Sequence, residues 1–182
     1  MNSVRTRRWW VAGGLLAPLL VASIAAGSPR AITLNDHGIA GAPFASAQRF
    51  VVSFVDSALG RPSRAVAPTP FLSTCGVDAA ASWGGFTAFF EHRRFAGYSL
   101  GPSSRTGVLV EGGLRLGETL ALARRQFGAR LRTSQNQGGA WFARTPTGRY
   151  YGFLRPSGPP PGPASRLATI EAGRVGCPAL TP

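Results

Sequence analysis

The chain reads as an α+β protein in which two tandem helix-then-antiparallel-meander units pack as one small domain after an N-terminal signal peptide. Three observations lead there. Two segments carry apolar residues at spacings of three and four, and short runs separated by turn residues follow each of them. The first 27 residues, by contrast, have a composition unlike anything after them.

In that first segment, Arg5, Arg7 and Arg8 precede an uncharged run from residue 9 to 27 that holds Leu15, Leu16, Leu19, Leu20, Val21 and Ile24. This is the layout of a secretory signal. The run approaches the roughly 20 residues that span a bilayer, so an uncleaved N-terminal anchor is the competing reading. Pro18, followed by the small residues Ser23, Ala25, Ala26 and Gly27, favours cleavage near residue 27. Arg7 and Arg8 loosely resemble a twin-arginine signal, but adjacent arginines are common in such segments, and the ordinary unfolded route ranks first. The mature chain is therefore expected to be secreted or held in the extracytoplasmic envelope.

Residues 28–45 show no period and read as a flexible lead-in to an α+β domain over 46–182, with halves at 46–101 and 108–178. In the first half Ala47, Phe50, Val51, Phe54, Val55 and Ala58 form one helical stripe, with Ser46 as the expected N-cap and Gly60 as the stop. Strands are expected at 77–83, 86–91 and 94–100, separated by Gly84-Gly85 and by a charged turn at His92-Arg93. The second half begins with a short strand at 108–111 and a helix at 120–127, capped by Thr119 and stopped by Gly128. Strands at 129–133, 140–144, 150–154 and 167–172 follow, and the last leads to Cys177. Neither half is large enough to bury its own sheet, so the two are expected to share a core.

Removing residues 1–27 leaves 17 arginines against 7 acidic residues, a formal charge of +10, and the chain contains no lysine. A basic exported protein is drawn to anionic surfaces such as phospholipid headgroups or wall polymers. Export makes nucleic acid an unlikely partner. Cys75 and Cys177 are the only cysteines, and in an oxidising compartment such a pair is expected to form a disulfide. The loop of about 100 residues would remove roughly 4–5 kcal/mol of chain entropy from the unfolded state in the entropic account.

The stretch from Gly113 to Gly128, with Trp141-Phe142, Tyr151-Gly152-Phe153 and the closing Ala172-Gly173-Arg174-Val175-Gly176-Cys177-Pro178, resembles uncharacterised secreted proteins of high-GC Gram-positive bacteria. The helix entry Gly117-Glu118-Thr119-Leu120, running on to Phe127-Gly128, is more distantly similar to the helix-plus-sheet repeat of β-lactamase inhibitory protein and of small SmpA/OmlA-type lipoproteins. That second likeness implies a scaffold whose sheet face binds a protein or envelope component. It carries no binding residue over to this chain. The first half lacks the helix entry, and one long-range cysteine pair differs from a disulfide in each repeat.

Catalytic motifs fail on context. Gly97-Tyr98-Ser99-Leu100-Gly101 matches the nucleophile elbow G-x-S-x-G, but a loop follows it where a hydrolase has a helix. His37 and His92 read as surface residues, and no metal-ligand spacing, phosphate loop or dinucleotide fingerprint points to a cofactor. Alternation along 140–144 and 150–154 puts aromatic side chains on both faces of one ribbon. Trp141, Phe142, Tyr150 and Tyr151, with Arg144, are therefore the candidate binding surface. The chain is expected to be a non-enzymatic interaction module for an envelope protein or an anionic wall or lipid surface. The alternative is a small secreted hydrolase acting on a cell-wall polymer.

Overall fold

The structure, a computed structural model, describes residues 31–60, 63–70, 73, 76–102, 107–134, 139–156 and 161–176. Residues 1–27, expected from the sequence to be a signal peptide, and Cys75 and Cys177 lie outside these residues. What is described is a small mixed α+β domain with two α-helices and mostly antiparallel sheets.

Strands β1 (Ile32–Asn35), β2 (Gly38–Ile39) and β3 (Ala42–Pro43) open the fold, followed by α1 (Gln48–Leu59). Next come β4 (Arg64–Val66), β5 (Ala79–Ser82), β6 (Phe86–Glu91), β7 (Arg94–Leu100) and β8 (Val108–Val110). Helix α2 (Leu120–Phe127) leads into β9 (Leu131–Thr133), β10 (Ala140–Arg144), β11 (Arg149–Arg155), β12 (Arg166–Leu167) and β13 (Ile170–Gly173). The large sheet runs β4-β5-β6-β7-β13-β11-β10-β9, with β12 beside β11. The small sheet runs β3-β2-β1-β8, and its β1–β8 pair is parallel.

The flexible lead-in is corrected by the structure. Ile32, Leu34, Ile39 and Ala42 are buried core residues, and β1 pairs with Val108–Val110 across more than 70 positions of sequence. A segment this short shows no readable period of its own, and its order comes from that distant partner.

Helix α1 buries Val51, Val55 and Leu59, while Phe50 is 49% exposed and leans on Phe54. Its N-cap is Ala47, one residue later than expected, without a side-chain cap, and Gly60 ends it in the left-handed region (φ 62°). Trp83 Nε1 donates to Asp56 Oδ1 at 2.6 Å and ties the helix to the β5–β6 turn. Helix α2 agrees with expectation, since Thr119 Oγ1 accepts the Leu122 N–H and Leu120, Ala123 and Phe127 are buried. The β6–β7 turn puts two non-glycine residues, His92 (φ 49°) and Arg93 (φ 60°), at positive φ, the twist a two-residue hairpin needs. Asp78 holds it by accepting the His92 N–H at 2.8 Å.

One face of the large sheet carries the main core. Phe86, Phe90, Phe95, Tyr98, Trp141, Tyr150, Leu154 and Ile170 meet both helices and the small sheet there. The last expected strand is split into β12 and β13, and β13 enters between β7 and β11. This joins the two halves into one continuous sheet. Gly152 permits it, since a Cβ there would collide with the Thr169 carbonyl.

Candidate functional site

Antiparallel partners share a face, so the register defines a row across the second side of the large sheet. It runs Arg64–Ser82–Thr87–Ser99–Glu171–Tyr151–Phe142–Arg132. Its middle is covered by a small apolar cluster of Val77, Ala80, Phe89, Tyr151 and Val175, with Phe142 packed against it. At the β9–β10–β11 end the face opens: Arg132, Arg144, Arg149 and Arg155 are exposed, and Phe153 is 47% exposed.

Three of the nominated aromatic residues are therefore corrected. Trp141 (0% exposed) and Tyr150 (3%) point into the main core, and the Tyr150 hydroxyl donates to the Glu111 carbonyl. Tyr151 (2%) is on the second face but under Val175, with its hydroxyl donating to the Gly173 carbonyl at 2.6 Å and accepting the Val175 N–H at 3.0 Å. Phe142 and Arg144 do reach the open end. Phe153, Arg132, Arg149 and Arg155 join them there, assigned to that face only once the strand register is known.

In the middle of the row, Ser99 Oγ donates to Glu171 Oε1 at 3.1 Å. Burial pushes the Glu171 carboxyl up to about 7 against the opposing pull of hydrogen bonds from Ser99 and Thr169. Among the described residues no arginine offsets that burial. Ser99 is thus spent on a buried carboxylate, in line with its reading as a strand residue. Glu91 pairs with Arg174 at 2.9 Å, and His92 sits in its hairpin turn.

No protein family matches this chain, and neither does any curated protein or solved structure.

A second constellation lies where four chain segments meet, one of them the β10–β11 turn. Asp36, buried in the β1–β2 turn, accepts hydrogen bonds from the Thr145 and Thr147 hydroxyls of the β10–β11 turn and from His37 Nδ1 at 2.8 Å. Burial alone would raise its pKa, but the bonds from Thr145, His37 and Thr147 together hold it below its ordinary value. Beside it is a cavity of about 350 Å³ lined also by Glu111, Gln126, Phe127, Arg130 and Tyr150. Sequence reasoning passed over His37 because it placed the residue in a flexible segment. Asp36-His37 was the available signal, though adjacency alone does not bring in residues 111, 126, 130 and 145–147.

Among the described residues no group of three or more His, Cys, Asp or Glu side chains is arranged to hold a metal, and no helix is long and apolar enough to cross a membrane.

Proposed function

We propose that the protein is an exported, non-enzymatic interaction module that docks onto an anionic phosphate-bearing component of the cell envelope through the open end of its second sheet face. One observation carries this reading: the register collects Arg132, Arg144, Arg149 and Arg155 around Phe142 and Phe153 on one exposed side. Arginine presents a planar fork of donors that suits phosphate oxygens, and a half-exposed ring supplies apolar contact. Each arginine brought to an anionic lipid surface contributes about 1 kcal/mol, so four of them attract without any deep pocket.

In this reading residues 1–27 direct export, and the halves 46–101 and 108–178 follow one helix-then-meander plan that builds the platform. The Cys75–Cys177 disulfide belongs to the same reading. Val77 and Val175 pack in one cluster, and Glu91 faces both Gly76 and Arg174, so the flanks of the two cysteines converge.

The hydrolase alternative has one supporting feature, the Asp36–His37 pair. Neither hydroxyl beside that pair is free to act as a nucleophile, because Thr145 and Thr147 both donate to Asp36.

Co-sedimentation tests the docking surface, with phosphatidylglycerol vesicles in one arm, phosphatidylcholine vesicles in a second and a soluble glycerol-phosphate polymer as competitor in a third. Binding to anionic vesicles is expected to fall with salt and to be lost in the triple variant Arg132→Glu, Arg144→Glu, Arg149→Glu. Displacement by the polymer would assign the surface to a wall polymer, and retention on vesicles in its presence to a lipid headgroup. Equal binding to neutral vesicles, or full binding by the triple variant, would overturn the proposal.

A further inference from the structure

The cavity beside Asp36 is lined by opposite charges from separate segments of the chain. Glu111 enters from the turn after β8, Arg130 from the end of α2, and His37 from the β1–β2 turn. Among the described residues neither the Glu111 carboxylate nor the Arg130 guanidinium has an ion-pair partner, although both line the same cavity. Arg130 is held in place from its own side. Its Nε donates to the Phe127 carbonyl at 3.4 Å, and its guanidinium carbon lies 5.7 Å from the centre of the Phe127 ring.

The imidazole is oriented as well. His37 Nδ1 donates to Asp36, so in the neutral imidazole Nε2 is the acceptor, and the two threonine hydroxyls fix Asp36 in turn. The carboxylate of Asp36 is engaged by these bonds, so the charges open to a ligand are Glu111 and Arg130. A cavity of about 350 Å³ is at the small end of the range for small-molecule sites.

We infer that this cavity is a binding site for a small zwitterion of the amino-acid or short-peptide class, with its ammonium on Glu111, its carboxylate on Arg130 and an N–H on His37 Nε2. A ligand with both charges satisfies two groups that otherwise stay unpaired, whereas a simple anion or cation satisfies one and is repelled by the other. Phe127 and Tyr150 also line the cavity and offer apolar contact to a short side chain.

The probe is the dipeptide Ala-Ala, compared with its N-acetyl and C-amide forms by NMR titration of the folded domain. Saturable shifts are expected at residues 36–37, 111–112 and 145–148, with each blocked form at least tenfold weaker than the free dipeptide. Glu111→Gln is expected to weaken Ala-Ala at least tenfold and to remove the preference for a free amino end, and Arg130→Gln to do the same for the carboxylate end. Both residues are exposed, so the variants are expected to fold, which the unchanged dispersion of their spectra checks. Arg155→Glu, on the other sheet face, is expected to leave dipeptide binding intact while weakening vesicle binding, so the two sites fail independently. Absence of saturable shifts with Ala-Ala, or equal binding of blocked and free forms, would overturn the inference.

Discussion

Glu171→Gln is the substitution whose effect the structure predicts most sharply. The Glu171 carboxyl is 8% exposed, and burial moves it from 4.5 to about 7. Below pH 4.5 the folded and unfolded chains both hold the proton, and the group makes no difference. As pH rises above 4.5 the unfolded chain releases its proton while the folded chain keeps it, which favours unfolding. Above about pH 7 the folded carboxyl ionises too and the penalty levels off. At about 1.4 kcal/mol per pH unit, the gap between 4.5 and about 7 amounts to roughly 3 kcal/mol of stability, present at low pH and lost by neutrality.

Against a total of about 5–15 kcal/mol for a domain, that loss is large. Glutamine has the same shape, still accepts from Ser99 and never ionises. Urea unfolding of both proteins at pH 4.5 and pH 8 isolates the group, because every other titration is common to the two. The variant is expected to gain about 3 kcal/mol relative to wild type between the two pH values and to be the more stable protein at pH 8. A difference that stays constant to within about 0.5 kcal/mol would mean that Glu171 is solvated in the folded protein and that the second face is open at its centre.

Truncation of the ribbon should separate its two sides: Trp141→Ala is expected to cost roughly 3–5 kcal/mol, and Phe153→Ala less than about 0.5 kcal/mol, in thermal or urea unfolding. Asp36 works with the opposite sign to Glu171, since its lowered pKa contributes stability above pH 3.8 that is lost as pH falls through its folded value. Asp36→Asn is expected to flatten that acid limb and to cost about 1–3 kcal/mol at pH 7 through unmet donors from the β10–β11 turn, read from unfolding curves between pH 2 and 7. A peptide map of exported protein without reduction is expected to link the Cys75 and Cys177 peptides, and intact mass is expected to begin near residue 28; free thiols on both cysteines would refute the pairing.

Much of the secondary structure was legible because it is decided locally. The second helix ends where Thr119 and Gly128 put it, and β6, β7 and β10 begin and end at their expected residues, since caps and turns act within three or four positions. The first helix was readable in place but only partly in face. Phe50 belongs to its apolar stripe by spacing, yet it stays half exposed because no element among the described residues covers it.

Alternation in β10 and β11 showed that neighbouring aromatics point to opposite sides. It did not show which side meets the core. That choice depends on β13 entering between β7 and β11 and on Val175 folding over Tyr151, contacts of Tyr151 with residues 20 and 24 positions away. The sequence by itself determined the α+β class, the limits of the second helix and the positive charge. Only the tertiary structure decided that 32–43 is sheet, that Trp141 and Tyr150 are core, and that Asp36, His37, Glu111 and Arg130 share a cavity. Local signals reach a turn or two along the chain, whereas a shared cavity depends on the register of strands far apart in sequence, which no short window contains.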